Sequence, residues 1–357
     1  MIVILIFFSI PIKFENSGAK KAEKSFIELR NSAFSMNISD YVTFVGPPIN
    51  TTPAPYINNF RIYIDDADPY YNWSKTSSEN SWLTGSGTPG DPYIIENLFI
   101  DADRDGGGIR IVRSTKNFII RDNWINNSGP NEYNSGILLK DTVENGIIEN
   151  NLITYVHIGI NLEFFCGNIT IRDNYLLSDH STAGNGRSLQ VTRSNDITLI
   201  GNVAIDFYHG VLFINNENIT FSKNFIKDDI WGEDYIASPV DLRYSNNTKI
   251  TYNGFGGVYT HSDSFIFMVD STGNVIFNNS QTITQSGLGI SGVEGLQMQA
   301  SNTALLYLFN SHNNQIAHNF KFLSDSNQGV PGFDLNLLIG ITGIAFIVVL
   351  MLQRKKH

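Results

Sequence analysis

Apolar and polar side chains alternate in short runs through the middle of the chain, and five of these runs are versions of one phrase: NFIIRDNWI from Asn117, NGIIENNLI from Asn145, NITIRDNYL from Asn168, DITLIGNVA from Asp196 and NITFSKNFI from Asn218. A period of two marks a half-buried strand, because successive side chains of an extended backbone point to opposite faces. Ile169 and Ile171 therefore face one way, and Thr170 and Arg172 the other. The seventh residue of every phrase is asparagine: Asn123, Asn151, Asn174, Asn202 and Asn224, at steps of 28, 23, 28 and 22 residues. A repeat of that length is one coil of a solenoid. A second short strand opening on a small residue precedes each phrase: GIRI at Gly108, GILL at Gly136, GINL at Gly159, SLQV at Ser188 and GVLF at Gly210. Each coil thus holds at least two strands.

One coil cannot enclose its own apolar face, but stacked coils place equivalent residues about 4.8 Å apart and make a continuous core. Ile120, Ile148, Ile171, Leu199 and Phe221 form one expected inward column, and Ile125, Ile153, Leu176, Ala204 and Ile226 another. The recurring asparagines are expected to be structural. Asn tolerates left-handed backbone angles at a bend, and its amide can bond locally or to its copy in the next coil. The pattern loosens at ITYNGFGG from Ile250, NVIFNNS from Asn274 and NQIAHNF from Asn314, which read as degenerate coils over 227–320. Upstream, RIYIDD from Arg61 and YIIENLFI from Tyr93 read as opening strands joined by a polar loop. The β-helix is therefore assigned to 61–325, with 22–60 as the cap that an open sheet edge requires.

The two ends have a different character. Residues 333–352, FDLNLLIGITGIAFIVVLML, have the length and apolarity of a membrane-crossing helix, and Arg354, Lys355 and Lys356 follow at once. The expected arrangement is a single-pass protein of the cell membrane. It has a linker at 326–332, the β-helix outside and a cytoplasmic basic tail at 353–357. Residues 1–21 are a signal-like apolar N-terminus without a basic n-region. Eight N-x-Ser/Thr triplets, beginning at Asn37, Asn50, Asn72, Asn126, Asn168, Asn218, Asn246 and Asn278, fit a glycosylated exported chain or simple strand and turn chemistry.

Composition narrows the partners. A net charge of -10 opposes binding to a phosphate backbone, so nucleic acid is not an expected partner. The single cysteine, Cys166, excludes an intramolecular disulfide. Arg121, Glu149 and Arg172 share one outward column with Asp122, Asn150 and Asp173 beside them. That column is either a cross-strand salt ladder or a sugar-binding or catalytic face. Asp101, Asp103, Asp105 and Gly106 match the first half of a calcium loop, but Val112 stands where the closing acid belongs, so an ordinary turn competes with a calcium site. Asp65, Asp66 and Asp68 form a similar acidic turn. His157 and His209, near the small residues that open the second strands, read as turn residues or general bases.

Tyr70, Tyr71, Trp73, Trp82, Trp124, Tyr175, Tyr208, Trp231 and Tyr235 are candidates for stacking on sugar rings or packing under loops. Trp124 and Tyr175 each follow a ladder Asn and are the favoured pair for substrate binding. No zinc cluster, nucleophile elbow, phosphate loop or dinucleotide fingerprint occurs in the sequence.

With its Asn phrases, the segment GSGTPGDPYIIENLFID from Gly85 and the tail PGFDLNLLIG followed by RKK, the chain resembles right-handed parallel β-helix repeat proteins. These are of the pectate-lyase-like and NosD-like kind, especially membrane-anchored archaeal surface members. Pro331, Gly332 and Phe333 resemble archaeal PGF-type sorting tails, which implies either lipid exchange or a permanent anchor. The resemblance covers residues 60–320 and implies an all-β, right-handed parallel β-helix followed by one C-terminal transmembrane α-helix. It also implies polysaccharide lyase, hydrolase or epimerase chemistry, with carboxylates, an Arg or Lys base and sometimes calcium on one outer face. The leading expectation is a surface protein that binds polysaccharide or cell-envelope glycans. A lyase or epimerase using the Arg121–Asp122 and Arg172–Asp173 face, and a structural surface-layer or adhesion protein, are the alternatives.

Overall fold

The computed structural model describes residues 57–129, 134–178, 186–207, 209–227, 239–257, 266–284, 306–317 and 320–324. The signal-like segment, most of the 22–60 cap, the 326–332 linker, the 333–352 span and the basic tail lie outside the described residues. So do Tyr208, Trp231 and Tyr235. No helix among the described residues is long and apolar enough to cross a membrane.

Each coil has three strands, one more than the phrase suggests. In one coil they are Ile158–Glu163, Gly167–Arg172 and Tyr175–Leu177. The last two come from a single phrase, which the chain divides by bending at Asp173 and Asn174. Each strand pairs in parallel with its equivalents in the neighbouring coils, for example Ile160 with Ile137 and Leu189. Three parallel faces result, so the molecule is a β-helical solenoid. The third face is a nine-stranded sheet running from Phe99–Asp101 to Phe320–Ser324. The first and second are joined by one continuous strand, Ser135–Glu149.

Hydrophobicity drives the stacking. Ile120, Ile148, Ile171, Leu199 and Phe221 lie over one another inside the second sheet, and Ile125, Ile153, Leu176, Ala204 and Ile226 inside the third. All ten are fully buried. The small residues that open the first-sheet strands have a steric cause. A Cβ on Gly136 would come within 2.5 Å of the Ile153 side chain and 2.8 Å of the Gly159 carbonyl.

The ladder asparagines do not themselves adopt left-handed angles. The preceding residue does: Asp122, Asn150, Asp173, Lys223, Tyr252 and Asn278 have φ between 54° and 58°, and Gly201 has 71°. The Asn side chain then turns inward and carries the hydrogen bonds. Asn151 Nδ2 donates to Asn174 Oδ1 at 2.9 Å, Asn174 to Asn202 at 3.0 Å and Asn202 to Asn224 at 2.9 Å. Asn224, Asn253 and Asn279 continue the series into the degenerate coils. A second ladder of backbone N–H groups donating to side chains lines the corner between the first and second sheets, through Cys166, Ser194, Asn216, Ser245, Ser271 and Ser311.

The polar loop of the first coil is not structureless. It carries a short helix, Trp73–Glu79, whose N-cap Asn72 accepts from the Lys75 amide at 2.9 Å. Trp73 is only 1% exposed, stacks on Tyr93 at 4.8 Å and donates to Ser114 Oγ at 2.7 Å. The two-residue strand Leu83–Thr84 then pairs antiparallel with Tyr93–Glu96 and covers that sheet edge.

Candidate functional site

The second-sheet charges come together as the column predicts, but as two separate pairs. Arg121 binds Glu96 at 2.7 Å, and Arg172 pairs with Glu149. Glu96, which sequence reasoning left out of the column, completes the alternation Glu96, Arg121, Glu149, Arg172 in register. Asp122 lies 3.9 Å from Arg121. Asp122 and Asp173 occupy left-handed bends, and burial pushes the Asp173 carboxyl above its usual range against the opposing pull of Arg172. These charges largely satisfy one another on an open surface.

Trp124 and Tyr175 share an outward column of the third sheet, with Leu152 between them. They do not form an exposed stripe. Tyr175 is 3% exposed and Leu152 is fully buried, while half-buried Trp124 leans on Phe99 at 4.8 Å and donates to Thr154 Oγ1 at 2.9 Å. Trp73 is likewise core rather than surface. Among the described residues of the set, Tyr70 is the exposed member, at 74%.

Asp101, Asp103 and Asp105 do not converge. Among the described residues no group of three or more His, Cys, Asp or Glu side chains is arranged to hold a metal. Asp101 instead accepts from the Asp103 amide at 2.9 Å and from Asn127 Nδ2 at 3.1 Å, which is turn chemistry. Asp65 is also structural. Burial would raise its pKa, but hydrogen bonds from Arg113, the Ala67 amide and the Tyr63 hydroxyl hold it below the usual carboxylate range.

The outer face of the first sheet gathers polar chemistry that sequence reasoning did not single out. One outward column contains Tyr63, Arg110, Leu138, Asn161, Gln190, Leu212 and Asp241. Beside it run Lys140, Glu163, Thr192, Ile214 and Arg243, and at the strand starts Arg187 pairs in register with His209. Lys140 Nζ meets Glu163 at 3.1 Å, and Asn161 Nδ2 donates to the same carboxylate at 2.9 Å. Arg243 grips Asp241 through two bonds, of 2.8 and 2.6 Å. Burial, aided by the charges of Arg187 and Arg243, pushes the His209 imidazole down to about 4, so it is neutral at pH 7. The available signal was the third letter of GIRI, GINL and SLQV, where a polar residue interrupts an apolar strand. His157 lies buried at a coil corner, where its amide donates to Ser128 Oγ at 3.0 Å.

At the first coils this face holds a cavity of about 120 Å³, lined by Asn58, Asn59, Phe60, Arg110, Asn134, Leu138, Lys140 and Glu163. The Arg110 guanidinium stands 5.7 Å from the centre of the Phe60 ring and 5.6 Å from that of Tyr63.

No family model matches the chain, and no curated protein does. Among solved structures, it is similar to a mutant of DFA-IIIase from Arthrobacter chlorophenolicus in complex with DFA-III, at 14% identity and a TM-score of 0.44, over 69% of this chain and 58% of that one. It is also similar to the A-module of a mannuronan C-5 epimerase from Azotobacter vinelandii, at 12% identity and a TM-score of 0.34, over 68% and 67%. The chain thus spans 58% of the length of the first of these.

Proposed function

We propose that the protein binds an acidic polysaccharide along the outer face of its first sheet. One observation carries this reading: hydrogen-bonding and charged side chains return along one register of that sheet, at Arg110, Asn161, Gln190 and Asp241, with Leu138 and Leu212 at the coils between. A ligand that repeats along its own length is matched by a surface that repeats at about 4.8 Å. Charge selects the acidic class. Lys140 and Arg243 are balanced by Glu163 and Asp241, whereas Arg110 has no carboxylate partner among the described residues. The half-buried positions of Arg110, Gln190 and Asp241 suit binding, because a partly desolvated group gains more from a ligand partner than a fully hydrated one.

The same reading includes a right-handed winding, which the handedness of parallel crossovers favours. It also includes surface display, with 333–352 as a membrane span followed by Arg354, Lys355 and Lys356. Protease treatment of intact cells should then remove the β-helix and leave a membrane-bound stub.

Incubation of the purified chain with a panel of uronate polymers, with and without calcium, tests the binding reading. Saturable binding without new chain ends is the expected result. New unsaturated ends that disappear in Arg172→Ala would replace it with a lyase acting on the second-sheet face. Failure to bind any glycan on an array would favour a structural surface protein.

A further inference from the structure

The strongest unassigned feature is the cavity at Arg110. Buried polar groups in folded proteins are almost always matched, so unmatched ones call for a reason. Two such atoms belong to this one face: Arg110 Nε and Asn161 Oδ1 are buried and have no hydrogen-bond partner. Arg110 lines the cavity, and Asn161 pairs in register with the cavity residue Leu138. Asn161 is 1% exposed.

The lining is also chemically divided. Phe60 and Leu138 supply an apolar wall, and Asn58, Asn59 and Asn134 supply amides. The formal charges of Arg110, Lys140 and Glu163 leave a single positive charge, and the Lys140–Glu163 pair at 3.1 Å places that surplus on Arg110. Because the guanidinium lies against the Phe60 and Tyr63 rings, its orientation is set before any ligand arrives. A planar, pre-oriented guanidinium is matched by a carboxylate. At about 120 Å³ the space is well below the roughly 300–1,000 Å³ of ordinary ligand sites. That admits a carboxylate with its neighbouring hydroxyls, not a run of rings.

We infer that this cavity is an end subsite, holding the carboxylate and adjacent hydroxyls of one hexuronate unit, with Arg110 as the carboxylate anchor and the three Asn amides on the hydroxyls. The choice of sugar acid rests on the binding reading above. The subsite itself rests on the cavity and on the unmatched Arg110 Nε at its wall.

Titration calorimetry of the full chain with galacturonate and glucuronate, against galactose and glucose, reads the site directly. The acids are expected to bind at one site. Arg110→Gln should weaken them at least tenfold, Arg110→Lys less, and Arg121→Gln, on the other face, not at all. Should Arg110→Gln fail to fold, phenylglyoxal modification of the wild-type chain replaces it: galacturonate, but not galactose, should slow labelling at Arg110, as read by peptide mass. Equal binding of neutral sugars, or labelling indifferent to galacturonate, overturns the subsite. If uronate polymers still bind while the monosaccharides do not, the subsite falls and the face survives. If the monosaccharides bind through Arg110 and no polymer does, the face falls and the subsite survives.

Discussion

At the scale of single residues the molecule separates side chains that hold the coils from side chains that face solvent. Asn174 makes the point. Its Nδ2 donates to Asn202 Oδ1 and to the Ile148 carbonyl, and its Oδ1 accepts from both the amide and the side chain of Asn151. Asn174→Ala should therefore destabilise by about 1–3 kcal/mol for each buried group left unmatched. Asn215→Asp, at an exposed bend that already tolerates φ of 56°, should stay within about 0.5 kcal/mol. Denaturant midpoints at unchanged slope would show the contrast, and equal effects would remove the ladder from the account. Asp65 gives a pH signature. Its folded pKa is depressed, so the stability it contributes is complete above the ordinary carboxylate range and is lost as pH falls through the folded value. Asp65→Asn should be the weaker protein at pH 7, and the gap in melting temperature to wild type should narrow on acidification below about pH 4.

At the scale of elements, the phrase visible in the sequence is two strands and a bend. Period-two alternation located the strands, and the recurring Asn marked where one ends. The alternation did not show that Tyr175–Leu177 belongs to a different sheet from Gly167–Arg172, because a left-handed residue such as Asp173 rotates the chain without interrupting the apolar pattern. The helix Trp73–Glu79 was illegible for another reason: about two turns with a single buried residue have no helical periodicity to detect. Its worth lies in Trp73, packed on Tyr93 and Phe118. Trp73→Ala should cost about 3–5 kcal/mol. It should also loosen Leu83–Thr84 from the sheet edge, so that self-association appears in size-exclusion chromatography before global unfolding does.

At the scale of the whole molecule, stability is a property of the stack, and Cys166 reports on it. Its thiol is buried and faces the Leu139 and Glu163 carbonyls, and burial pushes its pKa up to about 12. A thiol reagent at pH 8 should leave the native chain unlabelled and react only in step with unfolding. Prompt labelling of the native chain would mean that the coils around Cys166 are open. By itself the sequence determined the repeat, its coil length, the inward columns and the asparagine at each bend, since all of these follow from alternation and spacing along one chain. Only the tertiary structure decided which outward columns carry chemistry. Neutralisation of Arg121 by Glu96, burial of Tyr175, and the meeting of Arg110 with Lys140 and Glu163 depend on which coil lies beside which and on what covers each face. Such neighbours are distant in the chain, and local patterning does not encode them.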